Sequence, residues 1–259
     1  MIVAVEYMEK KIVFITGASS GIGAGCARKF AQAGCKLILN GRNEERLLAV
    51  RKEAEELGAE VFPLLFDVRD REATRSALEH LPEAWKQIDV LINNAGLALG
   101  LERMYEGDLE DWDTMIDTNV KSLLFISRLI VPEMVSRGRG HVINIGSTAG
   151  EAAYAGGAVY CASKAAVKIL SDGLRIDLVD TPVRVTTIKP GLVETGFSVA
   201  RFHGDKEKAA KVYEGIQPLS GDDVADVVFY AASAPQHVQI AEVMLMPVHQ
   251  ASGSVVYKK

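Results

Sequence analysis

Short apolar runs alternate with longer segments of helical periodicity along the whole chain. The seven runs begin at residues 11, 36, 60, 89, 141, 183 and 242 and read, in order, KIVFIT, KLILN, EVFPLLFDV, DVLINNAG, HVINIGS, VRVTTIKPG and EVMLMPV. Strands that are nearly continuously apolar and separated by helices are typical of a parallel sheet covered on both faces. The pattern therefore predicts an α/β fold with about seven parallel strands.

The segments between these runs carry the periodicity and caps of helices. One helix follows the first run through IGAGCARKFAQAG, and a charged helix spans 43–58, with Asn43 as its N-cap and Gly58 as its stop. Another helix is expected at 70–80. Because right-handed crossovers join parallel strands, this order predicts a doubly wound, Rossmann-like sheet with helices on both faces.

No linker, repeat or low-complexity run interrupts the pattern, so residues 1–259 are predicted to form a single dinucleotide-binding and catalytic domain. A looser segment is predicted at about 192–218, between the sixth strand and the next helix. It would lie at the carboxyl ends of the strands, where open α/β sheets bind ligands.

Composition and charge exclude several classes of function. The 259 residues are 48% hydrophobic and 24% charged, which suits a globular chain with a large core. The net charge is −5 and no basic tract occurs, which argues against nucleic acid and anionic membranes as partners. Five scattered histidines without an HxxxH or HExxH spacing provide no basis for a metal site.

The cysteines and the apolar segments predict a cytoplasmic protein. Cys26, Cys35 and Cys161 are odd in number and form no CxxC pair, which favours free thiols in a reducing compartment. The apolar run before Glu6 is too short for the core of a signal peptide. The most apolar helical segment, 123–132, is short and contains an arginine, so we expect it in the core rather than in a membrane.

A glycine-rich turn, TGASSGIG at 16–23, follows the first strand and opens the first helix. Its glycines are Gly17, Gly21 and Gly23, a GxxxGxG spacing rather than the more usual GxGxxG. Such a turn allows close approach of the backbone to a pyrophosphate and aims a helix N-terminus at its negative charge. An ordinary glycine-rich turn is the alternative, and the position directly after strand one favours the dinucleotide site.

The end of the second strand bears on which dinucleotide would bind. NAD-binding domains usually place an acid here for the ribose 2′-hydroxyl. This chain has Arg42 instead, with no carboxylate until Glu44. An arginine can bind a 2′-phosphate through charge-assisted bonds, whereas an acid would repel it. Arg42 would equally suit a solvated surface arginine, but with a bound dinucleotide the residue favours NADP.

Tyr160 and Lys164 lie one helical turn apart in the small, apolar stretch 158–167. Residues at i and i+4 share a helix face, and a nearby positive charge favours the ionised phenolate. The pair could therefore act as an acid and base near neutral pH. A half-buried helix whose lysine lies over a tyrosine ring is the alternative.

Seven short motifs in a fixed order decide between these alternatives. They are TGASSGIG (16–23), DV (67–68), NNAG (93–96), Asn119 in DTNVKS, Ser147 in INIGSTAG, YCASK (160–164) and PGLVET (190–195). With them the chain resembles the short-chain dehydrogenases/reductases over nearly its whole length.

The resemblance implies a role for each residue of a catalytic set. Tyr160 would exchange a proton with the substrate oxygen while a hydride moves to or from the nicotinamide. Lys164 would lower the pKa of Tyr160 and bind the nicotinamide ribose. Ser147 would hydrogen-bond the substrate oxygen. Asn119 would sit in a helix and anchor a water that passes protons to bulk solvent.

The resemblance also implies which residues contact NADP. Asp67 would lie against the adenine, where a simple turn or cap residue is the alternative, and Thr195 would reach the carboxamide. The whole predicted set is Gly17, Ser19, Ser20, Gly21, Ile22, Gly23, Arg42, Asp67, Val68, Asn93, Ala95, Gly96, Tyr160, Lys164, Pro190, Gly191, Val193 and Thr195.

The stretch 190–215 and the C-terminal end are similar to one subgroup, the NADP-dependent 3-hydroxy acid dehydrogenases, which act on serine, allo-threonine and 3-hydroxyisobutyrate. Gly196 and His203 depart from the Glu and Lys often found there. A 3-hydroxy acid needs a partner for its carboxylate, and Arg201 is the candidate because a guanidinium matches a carboxylate fork. Pairing of Arg201 with Asp205, or exposure to solvent, is the alternative.

Three further expectations follow from the same resemblance. A homotetramer is implied, with the polar chain end beyond Pro247, too polar to extend the sheet, reaching across a subunit interface. A 3-oxoacyl-thioester reductase or a general carbonyl reductase is the alternative activity. A non-catalytic NADP-sensing protein is the alternative of another class, although intact Ser147, Tyr160 and Lys164 argue against it.

Overall fold

The computed structural model describes residues 7–259, and its centre is a seven-stranded parallel sheet. Along the sheet the strands lie in the order β3-β2-β1-β4-β5-β6-β7. Their bounds are β1 Ile12–Ile15, β2 Lys36–Gly41, β3 Val61–Leu65, β4 Val90–Asn93, β5 His141–Ile145, β6 Arg184–Pro190 and β7 Glu242–Leu245. The predicted doubly wound Rossmann-like fold is confirmed.

Helices connect the strands and cover both faces of the sheet. Their bounds are α1 Gly21–Gln32, α2 Glu44–Glu56, α3 Arg71–Glu79, α4 Leu109–Ile116, α5 Ser122–Ser136, α6 Ala158–Asp177, α7 Phe197–Arg201, α8 Lys206–Tyr213 and α9 Gly221–Ala232. A π-helical segment at Asp117–Lys121 joins α4 to α5. The stretch 192–218, predicted as a looser segment, contains the two short helices α7 and α8.

The core has two layers because side chains of a strand alternate between the two faces of the sheet. Val13 and Ile15 of β1 pack with α1, α2 and α9, whereas Phe14 packs with α5 on the other side. Both layers consist of aliphatic and aromatic side chains, among which Phe30 and Ile126 are fully buried. The apolar strands predicted from the sequence are thus covered on both faces.

The predicted helix caps of α2 are confirmed. The Asn43 side chain accepts a hydrogen bond from the backbone N–H of Arg46 at 2.8 Å, which satisfies one of the free donors of the first turn. Gly58 follows the helix with φ +93°, a conformation that favours glycine.

Two sequence expectations concern membranes and metals. In the part of the chain from residue 7 onward, no helix is long and apolar enough to cross a bilayer. The same residues contain no group of three or more His, Cys, Asp or Glu side chains placed to hold a metal ion. The expectation about a signal peptide falls on residues 1–6, which lie outside the described residues.

The chain end folds back onto the segment before α9. β7 ends at Leu245, and the tail does not extend the sheet, as predicted. The Lys259 backbone N–H donates to the Gly215 carbonyl at 3.0 Å, and Lys258 Nζ donates to the Lys211 carbonyl at 3.0 Å. The tail therefore braces the end of α8 and the turn after it in its own chain.

The strand order reverses between β1 and β4. At such a point the loops that follow the two strands diverge and leave a crevice at their carboxyl ends. The turn after β1, the loop after β4, Ser147 after β5 and residues 191–195 after β6 all lie at this edge. The predicted motifs are therefore brought to one side of the sheet.

Candidate active site

The glycine-rich turn after β1 forms a tight cradle at the start of α1. Gly17 and Gly21 have φ angles of +63° and +54°, which favour glycine. A Cβ on Gly23 would collide with the Gly17 carbonyl oxygen, so the turn closes only with glycine there. Ser20 is the N-cap of α1 and makes no side-chain capping bond. The first N–H groups of the helix are then available to an anion.

Two asparagines support this turn, and sequence reasoning missed both. Asn94 Nδ2 donates to the Thr16 carbonyl at 2.9 Å and to the Gly17 carbonyl at 3.1 Å. Asn40 Oδ1 accepts from the Gly17 N–H at 3.4 Å. Asn94 is the second asparagine of the NNAG motif, so that motif could have indicated a residue that supports the turn.

Asn93, predicted to line the cofactor, has its side chain in the interior. Its Nδ2 donates to Ser127 Oγ at 3.1 Å and to Asn144 Oδ1 at 2.9 Å. Within a strand, side chains alternate between the two faces, and this one lies under α5. The Asn93 side chain therefore links β4 to β5 and α5, which leaves the backbone of Asn93 for the predicted cofactor contact.

Arg42 and Asp67 lie together at the carboxyl ends of β2 and β3. Arg42 is exposed, and its Nη1 lies 3.4 Å from Asp67 Oδ2. Arg69, which sequence reasoning did not single out, donates to the same carboxylate through Nη2 at 2.8 Å. Burial raises the pKa of Asp67, but the bonds from Arg69 and the charge of Arg42 outweigh it and lower the pKa to about 2.

Tyr160 and Lys164 lie on the first turns of α6, and both side chains are buried. Lys164 Nζ donates to the Ile145 carbonyl at 2.8 Å, at the end of β5. Ser147 follows that strand, and its hydroxyl lies close enough to Tyr160 to oppose the rise in the pKa of the phenol. The Tyr160 ring packs edge-on against Phe197 with ring centroids 5.5 Å apart. Three of the four predicted catalytic side chains thus meet at one place.

Burial controls the titration of this pair. It raises the pKa of Tyr160 to about 12, while the nearby Ser147 hydroxyl and the charge of Arg201 act in the opposite direction. It also lowers the pKa of Lys164 to about 8. The resemblance implied a lowered tyrosine pKa, and that expectation is corrected because desolvation of the phenolate outweighs the neighbouring charges.

Asn119 lies in the π-helical segment between α4 and α5, a type of irregularity that is frequent at functional sites. Its Nδ2 donates to Ser163 Oγ at 2.9 Å and to the Leu97 carbonyl at 2.8 Å, and its Oδ1 accepts from the Leu97 N–H at 2.9 Å. Asn119 therefore ties α6 to the loop after β4. A Cβ on Gly96 would lie 3.3 Å from both Asn119 Oδ1 and Lys164 Nζ, which places Gly96 against the catalytic group.

The residues after β6 close the crevice from the other side. Thr195 lies against the glycine turn, since a Cβ on Gly21 would be 3.0 Å from Thr195 Cγ2. Gln250 of the tail supports this loop by accepting from the Leu192 N–H at 2.7 Å. Val193 forms a bridge with Leu219. Pro190 ends β6 and Gly191 follows it at the same edge.

The remaining predicted cofactor residues occupy the walls of the same crevice. The Ala95 N–H donates to Thr16 Oγ1 at 3.0 Å, and Ser19 lies beside Gly41, where a Cβ would be 3.1 Å from Ser19 Cβ. Ile22 packs half-buried on the core, and Val68 is buried beneath the end of β3. For Val68 the side chain therefore faces the core and leaves only its backbone for the predicted contact.

Arg201 reaches the catalytic tyrosine from the end of α7. Its guanidinium carbon lies 5.2 Å from the Tyr160 ring centroid, and its Nη2 donates to the Tyr154 hydroxyl at 2.6 Å. Arg201 Nε is buried without a hydrogen-bond partner among residues 7–259. Asp205 instead caps α8 by accepting from the Lys208 N–H. The alternative that Arg201 pairs with Asp205 was wrong, and nothing in the sequence indicated Tyr154.

Replacing Lys164 with Met is expected to stabilise the protein at pH 7 by about 2 kcal/mol, because a buried ammonium is removed at the cost of one hydrogen bond. The folded pKa of Lys164 is about 8, against 10.5 for an ordinary lysine. Between these values the unfolded chain binds a proton that the folded chain does not, so wild-type stability rises with pH. The gain in the free energy of unfolding of the variant over wild type is therefore largest below pH 8 and disappears as the pH approaches 10.5. Guanidinium unfolding at pH 7 and pH 10 measures it.

Lys168, one turn further along α6, provides the control. Its ammonium bonds to Asp172, which raises its pKa, so Lys168→Met removes no buried charge. This variant should show no gain in stability at pH 7. An equal gain in both variants would contradict the assignment of the cost to the buried Lys164 ammonium.

Comparison with known proteins identifies relatives over nearly the full chain. The sequence model of a family described as short chain dehydrogenase matches residues 11–206. An NADP-dependent 3-hydroxy acid dehydrogenase, YdfG, from Salmonella typhimurium is 51% identical over 240 residues, which are 92% of this chain and 96% of the relative.

Solved structures agree with this result. The closed form of a serine dehydrogenase complexed with NADP+ has 46% identity and a TM-score of 0.89, covering 96% of this chain and 99% of that one. A serine dehydrogenase from Escherichia coli has 43% identity and a TM-score of 0.80, covering 93% and 99%.

Proposed function

Because the chain belongs to the short chain dehydrogenase family, we propose that it is an NADP-dependent oxidoreductase for small 3-hydroxy acids. It would transfer a hydride between the nicotinamide and the 3-hydroxyl (or 3-oxo) carbon of an acid such as serine, allo-threonine or 3-hydroxyisobutyrate. The observation that carries the substrate class is the guanidinium of Arg201 beside Tyr160, with its buried Nε unpaired among residues 7–259. The names of the relatives agree with this proposal.

The residues of the crevice fit NADP. A turn that admits no Cβ at Gly23 leaves backbone N–H groups for a pyrophosphate, and exposed Arg42 offers a guanidinium to a 2′-phosphate. Arg69 remains bonded to Asp67, so Arg42 can move from this carboxylate to the phosphate and the carboxylate still has a cationic partner. When bound, NADP supplies the carbon that accepts the hydride, and its reduced form the carbon that donates it.

The side chains of the chain itself supply the proton chemistry. In the oxidation, the Tyr160 oxygen takes the proton of the substrate hydroxyl, and in the reduction it returns one to the carbonyl oxygen. Ser147, beside Tyr160, would hold the same substrate oxygen in line. Lys164 Nζ and Asn119 Oδ1 both lie against Gly96, since a Cβ on that glycine would be 3.3 Å from each of them. The protonated Lys164 favours the ionised tyrosine.

Arg201 gives the site its preference for acids. A guanidinium carries five N–H donors, and Tyr154 occupies one of them. A buried Nε–H without an acceptor is costly, and a substrate carboxylate would satisfy it. The reacting carbon of a 3-hydroxy acid lies two bonds from its carboxyl carbon, a span that suits an arginine beside Tyr160.

Turnover with free 3-hydroxy acids tests this proposal. Absorbance of reduced nicotinamide would be followed with NADP or NAD and with L-serine, L-allo-threonine, 3-hydroxyisobutyrate, its methyl ester and a 3-hydroxyacyl thioester. We expect NADP and the free acids to be preferred, because both the 2′-phosphate and the carboxylate meet an arginine. Preference for the thioester or the ester would indicate a 3-oxoacyl-thioester or carbonyl reductase instead. Binding of NADP without any turnover would indicate a sensing protein.

We further propose that the active form is a homotetramer. Large apolar side chains are exposed on two helices, Leu124 on α5 and Ile169 and Ile176 on α6. Others are exposed at the C-terminal end, Met244 on β7 and Val248 and Tyr257 in the tail. Exposed apolar residues in two separate parts of the chain suit contacts with further copies, and two kinds of contact build a tetramer of dihedral symmetry. Light scattering on the eluted protein measures the mass, and a monomer would contradict the proposal.

A cytoplasmic location is the last part of the proposal. Cys26, Cys35 and Cys161 are buried and unpaired, as expected for a reducing compartment. Burial raises the pKa of the Cys26 and Cys35 thiols to about 12, which suppresses their oxidation. Cell fractionation tests the location, and recovery with secreted or membrane fractions would contradict it.

A further inference from the structure

Tyr154 is bonded to the arginine on which the proposed substrate preference depends. It lies in the segment between Ser147 and Tyr160, and its ring is half-buried beside Phe197 and Arg201. Its hydroxyl accepts from Arg201 Nη2 at 2.6 Å, the only side-chain hydrogen bond of the guanidinium among residues 7–259. The direction of this guanidinium is therefore set by a single phenol.

The backbone around Tyr154 is built to hold the ring in this place. A Cβ on Gly157 would collide with the Tyr154 ring itself. Gly156 has φ +72°, and a Cβ there would collide with the Leu101 carbonyl. The two adjacent glycines thus let the ring and the neighbouring loop pack against the start of α6.

Arg201 is held at its other end by the backbone. The Gly100 N–H donates to the Arg201 carbonyl at 2.9 Å, which joins the end of α7 to the loop after β4. Three aromatic rings, Tyr154, Tyr160 and Phe197, have centroids 5.2 to 5.7 Å from the guanidinium carbon. Ring faces attract a cation without using up its hydrogen-bond donors.

The chemical type of this partner matters. Burial raises the pKa of Tyr154, and the charge of Arg201 opposes that rise only in part, so the phenol is neutral at pH 7. A neutral acceptor aligns the guanidinium and leaves its positive charge uncompensated. A carboxylate in the same place would form an ion pair with Arg201 and would compete with an anionic substrate.

We propose that Tyr154 is a specificity-determining positioning residue, which aims Arg201 at the substrate carboxylate and keeps its charge available. The proposal rests on the proposed function, because it requires that Arg201 binds that carboxylate. Tyr154 itself need not touch the substrate or the cofactor. Its removal should therefore alter the preference for acids more than the chemical step.

The decisive experiment compares Tyr154→Phe with wild type on 3-hydroxyisobutyrate and on its methyl ester. Loss of the bond that aims the guanidinium is expected to raise KM for the acid by about tenfold, the usual effect of losing a hydrogen bond to a charged group. KM for the ester and kcat for both substrates should stay unchanged. A purely structural role would instead change both substrates alike.

Tyr105 provides a matched control, since its hydroxyl also accepts from an arginine, Arg103 Nη1, at 2.6 Å but on the exposed surface. Tyr105→Phe should leave both substrates unaffected. Arg201→Ala is the reference variant and should abolish most of the preference for the acid. In the Arg201→Ala background, Tyr154→Phe should add no further change.

The outcomes separate the two proposals. If Arg201→Ala leaves the ratio of kcat/KM for the acid to kcat/KM for the ester unchanged, the proposed role of Arg201 is wrong. The proposed role of Tyr154, which depends on it, is then wrong as well. If Arg201→Ala abolishes the ratio while Tyr154→Phe leaves it unchanged, only the role of Tyr154 is overturned. If Tyr154→Phe does not fold, Gly157→Ala displaces the ring instead and should lower the same ratio; an unaltered ratio there would also overturn the inference.

Discussion

Replacing Tyr160 with Phe is expected to lower kcat for a 3-hydroxy acid by about three orders of magnitude, within the usual contribution of a positioned acid or base. The substitution removes one oxygen and retains the ring, which packs against Phe197 at 5.5 Å. The removed hydroxyl is the group proposed to exchange a proton with the substrate oxygen, and phenylalanine offers no proton in its place. Steady-state absorbance of reduced nicotinamide measures the loss.

Binding of NADP should survive this change, because the cofactor cradle is formed by the turn after β1 and by Arg42. Fluorescence titration with NADPH measures the dissociation constant, which should stay close to that of wild type. Tyr230→Phe, on the exposed surface of α9, provides the control and should retain full activity. Tyr160→Phe with turnover near the wild-type rate would contradict the role of Tyr160 as the proton-exchanging group.

The pH dependence adds a second readout for the same residue. The pKa of Tyr160 is raised to about 12, so the phenolate that accepts a proton becomes more abundant as pH rises. Oxidation by wild type should therefore accelerate with increasing pH. Reduction needs the protonated phenol, which is present at every pH below that value, and should be flat across neutral pH. Tyr160→Phe should lose the rise in the oxidative direction.

Local features were predictable because their causes are local. Strands β1 to β7 are rich in Val, Ile and Leu, so a parallel sheet covered on both faces could be inferred from the sequence. The N-cap Asn43 acts on the next turn of its own helix. Tyr160 and Lys164 share one face of α6 by spacing alone. The cap and the pair each join residues at most four positions apart, and each strand is one continuous segment of the sequence.

Contacts between distant segments were not predictable in the same way. Tyr154 and Arg201 lie 47 residues apart and meet only because α7 folds over the start of α6. Asn93 and Asn94 are neighbours in one motif, yet one side chain lies in the core and the other supports the glycine turn. Which of the two faces the crevice depends on where β4 ends, a boundary that the sequence pattern leaves uncertain by a residue or more.

The titration of the catalytic pair was also beyond the sequence. The i, i+4 spacing of Tyr160 and Lys164 predicts that an ammonium lies near a phenol, which implied a lowered pKa for Tyr160. In the structure both side chains are buried, and the loss of hydration raises the pKa of Tyr160 and lowers the pKa of Lys164. Burial is a property of the whole fold, so no local pattern around residues 158–167 could have predicted its sign.

Arg42→Asp is expected to lower the preference for NADP over NAD, expressed as the ratio of the two kcat/KM values, by about a hundredfold or more, because charge-assisted bonds to the 2′-phosphate are lost. The new carboxylate would also repel that phosphate while offering an acceptor to a 2′-hydroxyl. It would stand beside Asp67, which Arg69 continues to hold at 2.8 Å, so the end of β3 stays in place. Initial rates with each cofactor at saturating substrate measure the ratio.

Lys52 supplies the matched control for this change of charge, since it lies exposed on α2 and pairs with Glu56. Lys52→Asp alters the net charge by the same amount away from the end of β2 and should leave the ratio unaltered, because exposed charges beyond about 10 Å are screened at ordinary ionic strength. An equal fall in both variants would show that overall charge controls the preference. A preference of the wild-type protein for NAD would contradict the proposed role of Arg42 in binding the 2′-phosphate. Arg42 would then be a surface arginine that contacts Asp67.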